Sequence, residues 1–477
     1  MGVRLRRLRE ERHMSQIAAA RALGLSASYY NQLENDERPL TVPVLLKVSA
    51  VFGIDVQVFS EEEEARLMAD IREALSSSGS EEHVAAAELR QLASSMPSVG
   101  RALVTMHRRL REAIDRADAM ADRLGGARHS MPSLPLMPFE EVRDFFYARH
   151  NHVDELDTAA ESLFHEAKLR IGDVAAGLEE RLASRHGVEV VIREDAPNMP
   201  SPQRRYDPRT RRLALTRHLS PGQRAFQMAT QVAFLELGAR IQHVVDETRF
   251  SSDEARALAR IGLANYIAGA LVMPYGPFRE AAESLRYDID LLRQRFGVGF
   301  EVTCHRLSTL QRADARGVPF FFIRVDRAGN ISKRQSATDF HFSRVGGTCP
   351  LWNVYEAFAQ PGRILRQLAQ MPDGRTYLWI ARTVSRGHGG YAAPTKTFAV
   401  ALGCDIRHAH RLVYAKGLDL DDPSAPTPIG AGCKVCERTA CPQRAFPPIG
   451  GKVVVDENER RLEPYAVFAR DGTGEGP

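Results

Sequence analysis

The sequence has no apolar run long enough to cross a bilayer. Its longest uncharged apolar stretch, Ile261 to Met273, is interrupted by Asn265 and stopped by Pro274, whereas a span needs about 20 apolar residues. No apolar segment follows the basic first residues, so the pattern of a secretory signal is missing. An excess of one charge is missing too. Lys and Arg number 64 against 60 Asp and Glu, a net charge of +4, so any face for nucleic acid must be local. Cysteine is scarce, six in 477 residues, and the six are placed late. These absences together point to a cytoplasmic protein, where clustered thiols bind metal more often than they form disulfides.

What is present is an ordinary globular composition, 44% hydrophobic and 26% charged. The length exceeds what one core supports, and two to four domains are expected. The periodicity predicts a multidomain, mainly α chain with an α+β C-terminal part. Residues 1–60 read as five short helices and 61–127 as a helical connector. Residues 139–315 are mixed and mainly helical, with a hairpin expected from Val188–Ile192 and Arg212–Thr216. Residues 316–470 are strand-rich, beginning with Phe320–Val325, a turn at Ala328-Gly329-Asn330, and further strands at Thr376–Val384 and Thr397–Leu402. Between Val99 and Leu124, apolar residues at Leu103, Met106, Leu110, Ile114 and Ala117 fall at steps of three and four. That helix is expected to pair with a second copy or to pack on its own chain.

Met14 to Glu34 has the order of a helix-turn-helix. Ser15 is placed to cap the first helix, Gly24 to turn the chain, and Ser26 to cap the second. In such a motif the second helix enters the major groove with its N-terminal side chains at base edges. Ser28, Tyr29, Asn31 and Gln32 are the candidates there, since Asn and Gln pair bidentately with adenine. Ser15, Gln16 and Arg38 suit phosphate contacts. Through Leu23-Gly-Leu and Tyr30-Asn-Gln-Leu-Glu, residues 4–59 resemble a Cro/C1-type repressor domain. The resemblance implies double-stranded operator DNA as partner and a homodimer on paired half-sites.

Near the other end stands Cys433-Lys-Val-Cys436-Glu-Arg-Thr-Ala-Cys441-Pro. Three thiols within nine residues make a poor core and a good set of soft-metal ligands. Gly430, Gly432 and Pro442 suit a tight loop around one centre. A fourth ligand is expected from Cys404, with Cys349 as the alternative. Two centres compete. Structural zinc takes four Cys or His ligands, usually from two Cys-x-x-Cys knuckles, and only one knuckle is present, with His408 and His410 to fill in. An iron–sulfur cluster takes four thiolates at less regular gaps, often with a following proline, and the spacing favours it. Cys304, alone in a helical stretch, reads as core.

Pro221 to Phe234, followed by Ala264-Asn265 to Pro274, resembles the ImmA/IrrE zinc metallopeptidases, which implies a zincin-like middle domain. That family carries His-Glu-x-x-His on the first helix. Thr230, Gln231 and Phe234 occupy those positions here, and no Asp or Glu occurs between Ala255 and Leu271. The pattern therefore implies the frame without a catalytic site, and no enzyme is expected.

The whole chain resembles the short-chain fatty acyl regulators of actinobacteria. The resemblance is carried by Arg38-Pro-Leu-Thr-Val-Pro43, Gly347-Thr-Cys-Pro-Leu-Trp352, Arg407-His-Ala-His-Arg-Leu-Val-Tyr414 and the Cys433–Phe446 motif. It implies a transcription regulator of propionate or acetate use, a short-chain acyl-CoA as effector and, for the propionate branch, a four-iron (4Fe-4S) cluster. Acyl-CoA phosphates need cations. Arg324, Arg344 and Lys396 are the candidates, with Arg327, Lys333 and Arg334 beside them.

Overall fold

A computed structural model describes residues 2–35, 37–52, 61–77, 84–123, 138–194, 202–337, 349–387 and 395–430. In the tail it describes 432–433, 436, 438, 441–447 and 458. It divides into two compact units. One comprises 1–134, 339–346 and 431–477, and the other 135–338 and 347–430.

The first unit begins with α1 (Gly2–Glu11), α2 (Gln16–Leu23), α3 (Ala27–Glu34) and α4 (Val42–Phe52). These are four of the five expected helices, and residues 53–60 lie outside the described set. The caps fall where the sequence places them. Ser15 Oγ accepts from Ala18 N and Ser26 Oγ from Tyr29 N, each at 3.2 Å. Gly24 takes φ +64°, which an L side chain would resist. Leu5, Leu8, Ala20, Leu23, Tyr30, Leu33, Val48 and Phe52 close the small core.

The connector is a second small assembly of α5 (Glu61–Ser77), α6 (Ala86–Ser95) and α7 (Pro97–Arg123). Leu67, Ile71, Leu89 and Ala93 are its core. Helix α7 covers the expected Val99–Leu124 element as far as Arg123 and packs on its own chain along one side. Leu103 and Val104 pack on the connector core, while Val99, Met106 and Leu110 are exposed.

The second unit opens with α8 (Pro138–Ala148), α9 (Asp154–Glu166) and α10 (Val174–His186). Three strands follow, β1 (Glu189–Arg193), β2 (Arg204–Asp207) and β3 (Arg212–Thr216). The expected hairpin is corrected here, because β1 and β3 run parallel. Parallel neighbours need a crossover rather than a tight turn. The hairpin partner of β3 is β2, antiparallel to it and at the sheet edge. Strand β2 is Arg-Arg-Tyr-Asp, with no apolar alternation to betray it.

Next come α11 (Pro221–Glu236), α12 (Gly238–Asp246), α13 (Asp253–Val272), α14 (Tyr275–Ser284), α15 (Ile289–Phe296) and α16 (Phe300–Leu307). Pro221 sits in the first turn of α11, behind a reciprocal cap of Ser220 and Gln223. Helix α13 is buried along its C-terminal half, Leu263 to Val272, except for the exposed Asn265. Among the described residues no single helix is long and apolar enough to cross a membrane.

Six strands complete the unit: β4 (Phe321–Val325), β5 (Ile331–Ser336), β6 (Leu365–Gln370), β7 (Thr376–Gly387), β8 (Thr395–Asp405) and β9 (Thr427–Pro428). They lie in the order β5-β4-β8-β7-β6-β9. All pairs are antiparallel except β6 with β9. Strand β4 is buried on both faces, which explains its continuous apolar run. On one face the Phe321 ring lies over Gly403, where a Cβ would come within 2.0 Å of it, and 4.3 Å from the Trp379 ring. On the other, Phe322, Leu378, Ile380, Val400 and Leu402 join a core that starts at Phe145 and ends at Ala415. Packing therefore runs straight across residue 315, where the composition shift suggested a boundary.

Candidate functional site

The head presents Ser28 and Asn31 exposed and Tyr29 and Gln32 half-buried on α3. Ser15 and Arg38 are exposed beside them, and the Arg38 guanidinium carbon lies 5.7 Å from the Tyr29 ring centre. Two of these residues already touch, since Gln16 Nε2 donates to Asn31 Oδ1 at 3.2 Å and to Glu34 Oε2 at 2.7 Å. Glu34 is 1% exposed and accepts from Arg9 Nε at 2.6 Å and Nη2 at 3.2 Å. Burial alone would raise its carboxyl, but the hydrogen bonds from Arg9 and Gln16 hold it below its ordinary range. This brace locks the reading helix against α1 and α2. It also explains part of the basic α1: Arg9 is spent on Glu34, and Arg12 donates to the carbonyls of Leu8 and Phe52.

A second polar cluster lies on the β4–β8–β7 face. In register, Arg324 and Arg382 both oppose Val400, and Arg386 opposes Lys396, so all four share one side of the sheet. Arg324 and Lys396 meet over Phe398, at 4.6 and 5.2 Å from its centre. Glu301 of α16 takes Arg324 at 2.7 Å and Arg386 at 3.4 Å, and Asp290 of α15 takes Arg382 at 3.0 Å. Lys333, opposite Arg324 on β5, is pulled down to about 8 by burial and by Arg324, with Glu301 opposing. The structure thus unites Arg324 and Lys396 and adds Arg382 and Arg386. Alternation on β7 could have revealed that pair. Arg327 lies 6.0 Å from the Phe358 ring, and Arg334 is half-buried on β5. Arg344 lies outside the described residues.

The tail thiols share one loop, with Cys436 buried and Cys433 and Cys441 half-buried. What closes this loop was not legible from the spacing of the thiols. Arg444 is 3% exposed and donates through Nη1 to the carbonyls of Cys433 at 3.1 Å and Phe446 at 3.2 Å. Its Nη2 donates to the carbonyls of Cys436, at 3.1 Å, and Arg438. Its Nε has no partner, and no carboxylate pairs with it among the described residues. Burial pushes the Cys436 thiol up, while the Arg438 amide and the Arg444 charge pull the other way. Three thiols around a buried, unpaired cation suit an anionic thiolate centre in kind. No three His, Cys, Asp or Glu among the described residues are gathered as a metal site. Cys404 and Cys349 belong to the other unit and are buried; Cys404 sits in the main core, where burial pushes its thiol up. Cys304 is core as expected.

In the frame resembling a peptidase, Thr230 and Gln231 are buried on α11 and Phe234 is half-buried. Thr230 Oγ1 donates to Phe226 O at 2.8 Å and lies 3.5 Å from Asn265 Oδ1. Gln231 Oε1 accepts from Arg204 Nη1 at 2.9 Å.

Comparison with known proteins matches three family descriptions in order along the chain: a helix-turn-helix at residues 5–59, an IrrE N-terminal-like domain at 183–308, and a short-chain fatty acyl coenzyme A regulator C-terminal region at 309–465. The HTH-type transcriptional regulator PrpR of Mycobacterium tuberculosis is 55% identical over 465 residues, covering 98% of this chain and 95% of that protein. The chain belongs to the short-chain fatty acyl coenzyme A regulator family. RamB, an HTH-type transcriptional regulator of the same organism, is 51% identical over 472 residues, 98% of each chain. The propionyl-CoA carboxylase regulator of Cereibacter sphaeroides is 43% identical over 466 residues, again 98% of each. A solved Mycobacterium tuberculosis transcriptional regulator aligns with TM-score 0.67 and 59% identity, over 69% of this chain and all of that one. This regulator is therefore a DNA-binding transcription factor and not a peptidase, in keeping with Thr230, Gln231 and Phe234 standing where a zinc enzyme needs its ligands and base.

Proposed function

We propose that the regulator controls genes of short-chain fatty acid use, reads its operator as a homodimer through α3, and changes DNA affinity when a short-chain acyl-CoA binds. The observation that carries the effector reading is the cationic face of Arg324, Arg382, Arg386 and Lys396 around Phe398, in the segment matched by the acyl coenzyme A family description. These cations outnumber Glu301 and Asp290, the carboxylates paired with them among the described residues. Charge-assisted bonds from such groups suit phosphates. Lys396 has no ion pair among the described residues, so it keeps its full charge for a ligand. An effector shifts the regulator only by binding one form better than the other.

Calorimetry with propionyl-CoA and acetyl-CoA tests the effector. Binding should appear with at least one of them and weaken by about tenfold or more in Lys396→Glu, which turns an attractive charge repulsive. Heat from neither compound, or equal heat from the variant, would remove this reading and leave a regulator without an acyl-CoA ligand.

The DNA reading has its own measure. Asn31→Ala should cost about 1–3 kcal/mol on one specific site and little on random DNA. Two chains should occupy each operator, with the exposed Val99, Met106 and Leu110 of α7 as the pairing face. Equal losses on both DNAs would mean that Asn31 reads no base.

The tail loop supports a further part of the proposal, a cluster of the 4Fe-4S kind. Cys433, Cys436 and Cys441 would supply three thiolates and Arg444 the compensating charge. Such a group would supply a change of charge with redox state. Zinc on the same thiols is the competing centre.

A further inference from the structure

Side chains of β2, α11 and α13 meet in a polar cluster that regulation through acyl-CoA does not use. Arg204 opens the edge strand β2, half-buried, with its guanidinium carbon 5.4 Å from the Phe234 ring. No carboxylate pairs with it among the described residues, and burial alone pulls it below the usual arginine range. Its one side-chain partner is neutral, the Gln231 carbonyl at 2.9 Å. Gln231 is 4% exposed. With its oxygen taken by Arg204, its amide can offer only hydrogen-bond donors to a further group. Thr230, also buried, lies 3.5 Å from the Oδ1 of the exposed Asn265, whose amide nitrogen is a further donor.

The charge balance decides what this cluster lacks. A cation withdrawn from water demands an anionic partner. In the metallopeptidase pattern the positions of Thr230, Gln231 and Phe234 hold a metal and a carboxylate. Here a covalent cation reaches across from β2, and the carboxylate has become the amide of Gln231. The site is rich in donors, and among the described residues no carboxylate pairs with its cation. We propose that it binds a carboxylate, with Arg204 as the cation and Gln231 Nε2 and Asn265 Nδ2 as orienting donors. The planar guanidinium fork matches two carboxylate oxygens. The unpaired edge of β2 would accept a chain ending at the site, so the carboxylate belongs to a small organic acid or to a peptide C-terminus.

The test uses the full chain and two probes, sodium propionate and tetraalanine, each against its amide. Melting temperature and ligand-observed NMR should report saturable binding of a free acid and at least about tenfold weaker binding of its amide. Tetraalanine binding about tenfold tighter than propionate identifies a chain terminus, and the reverse or equal affinity a small acid. Arg204→Gln should abolish the response. Gln231→Glu supplies a carboxylate from within, so it should raise the melting temperature without ligand and cancel the response to both probes. The proposal is overturned if neither acid binds, if binding survives both substitutions, or if Gln231→Glu lowers the melting temperature.

Discussion

Asp157→Ala is expected to destabilise the second unit by about 3–5 kcal/mol, the cost of leaving one member of a buried ion pair unpaired. Asp157 is 0% exposed and Arg306 2%. The two bond through both oxygens, Arg306 Nη1 to Oδ2 and Nη2 to Oδ1, each at 2.8 Å. Tyr266 adds its hydroxyl to Oδ2 at 2.7 Å, and Arg306 Nε donates to Met273 O at 3.0 Å. Every strong group is thus satisfied with the pair intact, and alanine strands a guanidinium in the core. Arg306→Met in the same chain should recover part of the loss, because no buried charge then remains. Denaturant midpoints of the wild type, the single variant and the double variant measure this. A loss below about 1 kcal/mol for the single change would mean that water reaches the pair.

The same network gives stability a pH dependence of one sign. Burial would raise the Asp157 carboxyl, but Arg306 and Tyr266 hold it below its ordinary range. Its contribution is therefore full above an unfolded value of about 4 and is lost as pH falls through the folded one. His152, which meets Tyr266 through Nδ1 at 3.2 Å, is lowered chiefly by burial, with Asp157 opposing. A depressed histidine favours its neutral form in the fold, so stability begins to fall below about pH 6.5. His152→Gln should flatten the profile just below that point and leave the acid limb intact.

This core was partly legible in the sequence, and the reasons differ by element. The head was legible because its signals are local: Ser15, Gly24 and Ser26 act within three residues of where they stand. Strand β4 was legible because burial on both faces writes an unbroken apolar run. Strand β2 was not, since an edge strand may be polar throughout and Arg204-Arg-Tyr-Asp carries no period. Long-range polar pairing was invisible as well. Asp157 and Arg306 are 149 residues apart, and nothing in either neighbourhood names the other. The same holds for Glu301, whose role depends on β4 and β7 delivering Arg324 and Arg386 to it. The packing across residue 315 was invisible for the same cause, because a change of periodicity marks a change of element and not a break in packing. Sequence reasoning named the candidate DNA readers and the thiols as residue types, and it missed the buried groups bonded beside them, Glu34 and Arg444.

Arg444 makes the last expectation specific. If the tail thiols hold an iron–sulfur cluster, protein purified without oxygen should carry about four iron and four sulfide per chain, and Cys433→Ser, Cys436→Ser or Cys441→Ser should each remove nearly all of it. Arg444→Gln keeps every thiol but removes the charge and the fork that gathers the carbonyls of Cys433, Cys436 and Phe446. It should retain the cysteines in titratable form while losing most of the iron, and Arg444→Lys should not rescue it, because a single ammonium cannot span the same carbonyls. One colourless zinc per chain would assign the loop to the competing centre. Iron that persists in all three serine variants would place any cluster elsewhere and leave Arg444 as a fastener of the loop alone. The physical reason to expect the first result is charge: a buried guanidinium with no carboxylate paired to it among the described residues needs anions, and the neighbouring thiolates would supply them.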